Sequence, residues 1–371
     1  MNYRSVLRSF LLFFTSLLFF LSVLQIIFGL NKHLRSGLFD YKVYHQYGRT
    51  ILSGRSPYDP EFTKGIPFNY PPSSFLLFAP FSLLPLQTSS LIFTAFSLLF
   101  FIVVTYLFLE SLIPSKPVRL LLLALLLQNF PTKFTLVAGQ VNLIVLSFLL
   151  LSFLYDQKNR LVLSGLLWGS AVMIKLTPIT LLVYFLFRKK YLTLVSGITF
   201  FTISNIFFLI IQPQTIYYFI THLPGLLGKS GFVTTFYDQS LRAFFSRLGI
   251  PHDAGLATVV VLLFLGLAIF NFLRQKSPQK ELIFFSQILL ITTIGNAFAW
   301  QHHFVFIFPA LISASILVLS KKSWLYSSLT LLSFILIASH IPDLAHPPTT
   351  NPFFVSHTLM GSLMLFILLL F

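Results

Sequence analysis

The chain has 371 residues, of which 56% are hydrophobic and only 9% charged, too little polar surface to coat a water-soluble globule of this size. Its 25 Lys and Arg against 9 Asp and Glu leave a net charge of +16, which in so apolar a chain belongs in loops beside anionic lipid rather than on nucleic acid. With no cysteine, disulfides, thiolate chemistry and cysteine-containing metal sites are excluded.

Arg4 and Arg8 precede an apolar run over residues 9–30, long enough to cross the ~30 Å hydrocarbon layer at ~1.5 Å per residue. It exceeds the ~7–15-residue core of a signal peptide and shows no small-x-small cleavage site, so it reads as an uncleaved first span with its N-terminus inside. Residues 31–87 form a first long external loop, within which 76–86, broken by Pro80 and Pro85, reads as an interfacial or re-entrant piece. Further spans are expected at 88–109, 118–130, 136–155, 161–174, 178–187, 191–211, 256–273, 282–299, 304–319, 324–339 and 358–371. With the first, that makes about twelve. Residues 212–254 form a second long external loop. The expected fold class is an all-α polytopic integral membrane protein, one transmembrane domain over residues 1–371 with external interfacial helices.

The basic residues set the orientation. With the N-terminus inside, short inner connections hold Arg4, Arg8, Lys116, Arg119, Lys158, Arg160, Arg188, Lys189, Lys190, Arg274, Lys276, Lys280, Lys321 and Lys322, 14 of the 25. Most of the rest lie in the two long loops, which translocate largely regardless of charge. Only Lys133 and Lys175, in short external turns, depart from the pattern. The same topology puts Glu110, Asp156 and Glu281 inside, and Asp40, Asp59, Glu61, Asp238, Asp253, Asp343 and all nine histidines outside. The working face is therefore expected to be external.

Residues 39–72 are the longest polar interval, and Asp40 opens it. Phe39, Val43, Tyr47 and Ile51 recur every four residues, so this segment is expected to lie as an amphipathic helix on the membrane until Gly54 ends it. Asp40 then caps that helix or, at the lipid boundary, deprotonates a hydroxyl, partial burial raising its pKa toward a useful range. Asp59, in Ser56-Pro57-Tyr58-Asp59-Pro60, reads by itself as a turn residue, while Tyr58, Phe68 and Tyr70 suit the wall of a sugar or lipid groove. Gln140 and Asn142 open a span on the external side, either as a polar helix start or as donors and acceptors for sugar hydroxyls. Lys175 either snorkels or meets an anionic phosphate at the external boundary. Arg242 and Arg247 add cations in the second loop. The adjacent His302 and His303 do not by themselves spell a metal site, and no metal or other cofactor is expected.

DYKVYHQYGRTILSGRSPYDP, PFNYPP, GQVN, LSGLLWGSAVMIKLTP, DQSLRAFFSR and WQHHFVFIFP, in this order across residues 40–309, resemble glycosyltransferase family 87 of the GT-C superfamily. The resemblance implies a GT-C type fold and a polyprenyl-phosphate-sugar dependent transferase, typically an α-mannosyltransferase, working on the external face of the inner (plasma) membrane. It implies that Asp40 is the catalytic acid position and that Lys175, Arg247 and His302 or His303 line the cavity. Asp238 departs from the Asn expected before Gln-Ser-Leu, and Ala243 from an expected Gly.

These residues suit a mechanism in which Asp40 acts as general base on an acceptor hydroxyl that attacks the anomeric carbon with inversion. Lys175 and Arg247 bind the departing phosphate electrostatically. The substrate-binding set is His45, Tyr58, Asp59, Tyr70, Gln140, Asn142, Gln239, His302 and His303. The partners are a polyprenyl-phosphate-sugar donor, a lipid or glycan acceptor and membrane lipid, with no nucleic acid. A transporter or lipid-linked-sugar flippase is the competing class; it would place ionisable groups near the bilayer midplane on broken helices, whereas the acids and histidines here gather in external loops.

Overall fold

The computed structural model describes residues 3–36, 38–56, 58, 69–228, 236–339 and 351–371. In lipid every backbone polar group must be satisfied within the chain, and the described residues accordingly form helices with no named strand. In order these are α1 Tyr3–Ser36, α2 Phe39–Leu52, α3 Phe75–Ser82, α4 Leu86–Leu112, α5 Lys116–Gln128, α6 Phe130–Ala138, α7 Asn142–Gln157, α8 Leu161–Ile174 and α9 Leu181–Phe187. There follow α10 Tyr191–Ile211, α11 Pro213–Gly228, α12 Leu241–Arg247, α13 Asp253–Arg274, α14 Lys280–Ile294, α15 Phe308–Lys321, α16 Trp324–Ala338, α17 Pro352–Val355 and α18 His357–Leu368.

Among the described residues five helical stretches are long and apolar enough to cross a membrane: Ser9–Asn31, Leu86–Leu112, Tyr191–Ile211, Asp253–Arg274 and Gln301–Lys321. A sixth is made if α5 and α6, bent by 55°, count as one. This is a multi-pass membrane protein, and the count of about twelve spans is not confirmed among the described residues. Asn142–Gln157, Leu161–Ile174, Thr177–Phe187, Trp324–Ala338 and His357–Leu368 are apolar helices of 10–17 residues, shorter than the ~20 a crossing needs. The run expected over 136–155 divides because Gly139 takes φ +73°, a left-handed conformation that ends α6. There the Gln140 N–H donates to Thr135 O at 2.8 Å and the Gly139 N–H to Leu136 O at 3.1 Å, the paired bonds of a Schellman motif.

The chain forms two compact units. The first comprises Met1–Gln128, Thr132–Leu176 and Lys190–Gly228. Its α8 and α10 pack closely because Gly165 and Gly169, four apart on α8, meet Gly197: a Cβ on Gly169 would lie 2.7 Å from the Gly197 carbonyl oxygen. A methyl anywhere on this small-residue seam would push the helices apart. In the same unit α2 was expected to rest its four-residue repeat on the membrane, but Phe39 is exposed while Tyr41, Tyr44, Tyr47, Gly48 and Ile51 are buried. The tyrosine hydroxyls decide this, since each finds a partner in protein: Tyr41 with Ser89, Tyr44 with Gln140, and Tyr47 with the Pro72 carbonyl. Gly48 admits α3 at Ser82, whose Oγ would lie 1.9 Å from an added Cβ.

The second unit comprises Asn129–Pro131, Thr177–Lys189 and Lys229–Phe371. Its centre is α14, buried at Leu282 through Ile291 and again at Thr293 and Ile294, with Phe284 stacked on Phe272. Each of the three acids assigned inside by the charge count pairs with a base assigned to the same side. Arg119 meets Glu110 at 2.9 Å and Lys190 meets Asp156 at 3.8 Å in the first unit, and Arg188 meets Glu281 at 2.6 Å in the second.

Candidate active site

Asp40 lies in the first turn of α2, but Leu38, not Asp40, occupies the N-cap position. The carboxylate looks outward from its own helix: its Oδ2 accepts a 2.7 Å hydrogen bond from Gln140 Nε2, one hundred residues on. Which way the Gln140 amide points follows from its other end, where Oε1 receives the hydroxyls of Tyr44 at 2.6 Å and Tyr70 at 3.0 Å. Two hydroxyl donors fix the oxygen toward the tyrosines and so turn the NH2 toward Asp40. Gly139 makes this contact possible. A Cβ there would lie 2.7 Å from Tyr41 Cβ and 2.8 Å from Leu38 Cβ, so the turn carrying Gln140 can approach the start of α2 only as glycine.

Asn142 begins α7, and its Oδ1 accepts a 2.9 Å hydrogen bond from Lys175 Nζ. Lys175, only 9% exposed, follows α8 in extended conformation, its N–H still donating to Ala171 O. The Pro72–Ser74 turn steadies this corner: Ser73 Oγ donates to Met173 O at 3.2 Å. Burial pushes the Asp40 carboxyl above the ordinary carboxylate value, while the Gln140 bond and then the Lys175 charge pull it back. Burial also brings the Lys175 ammonium down to about 7, opposed by the negative charge of Asp40. A partly exposed carboxylate is thus held by an amide, with a buried ammonium in electrostatic reach. Chemically the pair can take a proton from a hydroxyl and offset a developing anion.

The remaining expected positions divide. Tyr70 belongs to the Gln140 cluster, and Tyr58 supports it by donating its hydroxyl to the Tyr70 carbonyl. His45 stands apart, its buried ring donating through Nε2 to Leu84 O at 2.9 Å. Asp59 and Phe68 lie outside the described residues.

Arg247, Gln239, His302 and His303 belong to the second unit, where the Asp238-Gln239-Ser240 stretch ties three segments together. Asp238 Oδ1 accepts the N–H groups of Ser240 at 2.9 Å and Ala299 at 3.1 Å, as an Asn oxygen would. Among the described residues its other oxygen has no hydrogen-bond partner, and burial, only partly offset by those bonds, raises the pKa of the Asp238 carboxyl. Gln239 donates to the Phe236 and Val355 carbonyls, both at 2.8 Å, and accepts from the Thr358 N–H at 3.1 Å. Ser240 caps α12 through Ala243 N. Arg247 donates to Ser356 Oγ at 2.8 Å and to the Asp238 carbonyl, and burial lowers its pKa against the pull of Asp238. His302 is buried and packs edge-on to His303, whose Nδ1 donates to Phe298 O at 3.2 Å. Among the described residues no group of three His, Asp or Glu could hold a metal ion.

Sequence reasoning passed over Tyr44 and Ser73 in the first unit, where it took Gly139 only as the start of the Gly-Gln-Val-Asn stretch, and Ser356, His357 and Thr358 in the second. Tyr44 had a signal: it lies one helical turn from Asp40 on the same face of α2. Gly139 had one too, as the only glycine in a long apolar run. Nothing local distinguishes 356–358.

A family model described as Glycosyltransferase family 87 matches residues 68–300. The chain is 30% identical over 250 residues to a polyprenol-phosphate-mannose-dependent alpha-(1-2)-phosphatidylinositol pentamannoside mannosyltransferase of Mycolicibacterium smegmatis, covering 66% of this chain and 60% of the relative. It is 23% identical over 321 residues to a polyprenol-phosphate-mannose-dependent alpha-(1-2)-phosphatidylinositol mannoside mannosyltransferase of Mycobacterium tuberculosis, covering 80% and 75%. The Mycolicibacterium smegmatis protein of that same description is 26% identical over 322 residues, covering 78% and 72%. The chain therefore spans less than two thirds of the first of these relatives. No solved structure matches.

Proposed function

We propose, for a chain that belongs to glycosyltransferase family 87, that it transfers mannose from a polyprenol-phosphate-mannose donor to a hydroxyl of a lipid-linked mannoside acceptor, with Asp40 as general base. The site lies on the external face of the inner membrane, as the basic-residue count orients it. The observation that carries the reading is the hydrogen bond from Gln140 to Asp40, which aims the carboxylate away from its own helix with Lys175 buried nearby. The acceptor oxygen loses its proton to Asp40 Oδ and bonds to the anomeric carbon. The bond from that carbon to the phosphate oxygen breaks, and the polyprenol phosphate leaves with the electron pair. Attack opposite the leaving group inverts the anomeric centre.

Lys175 supplies positive charge as the phosphate leaves, and Asn142, holding its ammonium at 2.9 Å, positions it. Tyr44 and Tyr70 position Gln140. Arg247, His302 and His303 are proposed as further substrate contacts. The deciding experiment incubates purified full-length protein in liposomes with radiolabelled polyprenol-phosphate-mannose and a phosphatidylinositol mannoside. Label in the acceptor supports the reading. Label moved across the bilayer without transfer would make the protein a flippase instead.

A further inference from the structure

Helix α2 has a second face. Lys42, His45, Gln46, Arg49 and Ser53 follow one another at helical spacing, and Arg49 is nine residues from Asp40, half a turn around the axis at ~100° per residue. The stripe is thus opposite the Asp40, Tyr44, Tyr47 and Ile51 face that builds the site above. It borders a cavity of about 460 Å3 to which Lys42, Arg49, Arg55 and Leu86 contribute, within the ~300–1,000 Å3 range of small-molecule sites.

Three cations share this cavity, and among the described residues neither Lys42 nor Arg49 is ion-paired. The helix dipole accounts for Arg49 in the last turn of α2, but not for Lys42 near the first, where a positive charge is unfavourable. The position of the cavity beside α4 identifies what would offset that charge. Leu86 is the first residue of the 27-residue apolar helix α4, so the cavity wall is where the chain enters hydrocarbon. His45 Nε2 binds the Leu84 carbonyl and ties the cationic stripe to that level, and Leu83, beside it, is 74% exposed. Cations at headgroup depth beside lipid-facing leucines match a phosphate that has acyl chains attached. The Lys ammonium and the Arg fork are the donors that recognise such a phosphate.

We propose that this cavity binds the phosphate headgroup of an anionic membrane lipid, at a site separate from the Asp40 site on the other face of the same helix. The inference does not rest on the transferase reading, and it is tested by binding alone. Full-length protein in uncharged detergent is titrated with dioctanoyl phosphatidylglycerol, dioctanoyl phosphatidylcholine and inorganic phosphate. Phosphatidylglycerol should bind at least tenfold more tightly than phosphatidylcholine, and Lys42→Gln with Arg49→Gln should weaken it at least tenfold. Asp40→Asn, and the remote pair Arg274→Gln with Lys276→Gln, should leave it unchanged. Both substituted residues of the cavity are exposed, so the double variant should melt like the parent; Lys42→Gln alone, expected to lose about threefold, is the second arm. Loss below twofold in the double variant, or an equal loss in the remote pair, would overturn the site. Inorganic phosphate binding as tightly as phosphatidylglycerol would overturn the lipid and leave a soluble anion in its place.

Discussion

Two buried polar networks, one in each unit, start from similar sequence material and end in different conditions. In the first unit Asp40 keeps an open side: Gln140 donates to one carboxylate oxygen, and the aspartate remains partly exposed. In the second, Asp238, Gln239 and Ser240 are fully buried, and five hydrogen bonds to Gln239 and Asp238 join the loop to residues 299, 355 and 358 as well as to its own backbone. Both motifs read as candidate chemistry in the sequence. Geometry separates them: a group with an exposed side can meet substrate, whereas a fully buried stretch bonded to several segments holds a loop in shape.

The comparison breaks most readily at Asp40. Asp40→Asn should cut transfer by roughly 10²- to 10⁴-fold, the usual range for loss of a general base, while melting temperature and donor binding stay close to the parent. Asn keeps the shape, and no cap is lost because Leu38 holds the N-cap position. Near-normal turnover in a steady-state assay would remove Asp40 from the reaction.

Next comes Lys175. Lys175→Ala should lower kcat/KM for the donor by about 10- to 100-fold, judged against the ~10²- to 10³-fold cost of losing one oxyanion donor. It should also change the pH profile. Transfer by the parent should rise with pH as the Asp40 carboxyl, raised by burial, ionises, and fall again near pH 7 as Lys175 loses its proton. The variant should lose the alkaline limb and keep the acid one. An unchanged profile would leave Lys175 a packing residue.

Stability gives a third test at the same residue. A lysine whose folded pKa is about 7 binds fewer protons folded than unfolded between there and its ordinary 10.5. Stability of the parent should therefore increase with pH across that window, by at most about 1.4 kcal/mol per pH unit for one proton. Thermal melts of Lys175→Met should show a flatter dependence.

The smallest effect should come from the closed network. Gln239→Ala removes partners of the Phe236 and Val355 carbonyls and the Thr358 N–H, at a cost of about 1–3 kcal/mol. Activity per folded molecule should fall less than threefold. A hundredfold loss in kcat without a change in melting temperature would put Gln239 in the reaction and erase the contrast between the units.

Composition alone determined that this is a helical membrane protein, because a chain with so little polar surface must satisfy its backbone within helices in lipid. Isolation in an apolar context singled out Asp40, and the basic-residue count singled out Lys175. What the sequence left open is set by contacts between distant segments. Hydropathy marks apolar stretches without fixing how long each helix runs, so α7, α8, α16 and α18, all of 10–17 residues, read like the longer helices. The repeat on α2 marked a helix but not which of its faces turns inward, since tyrosine suits a membrane boundary as well as a core. Only folding brought Gln140, one hundred residues along, to Asp40, and it did so because Gly139 leaves the helix α6 in a left-handed turn with no side chain to keep α2 away.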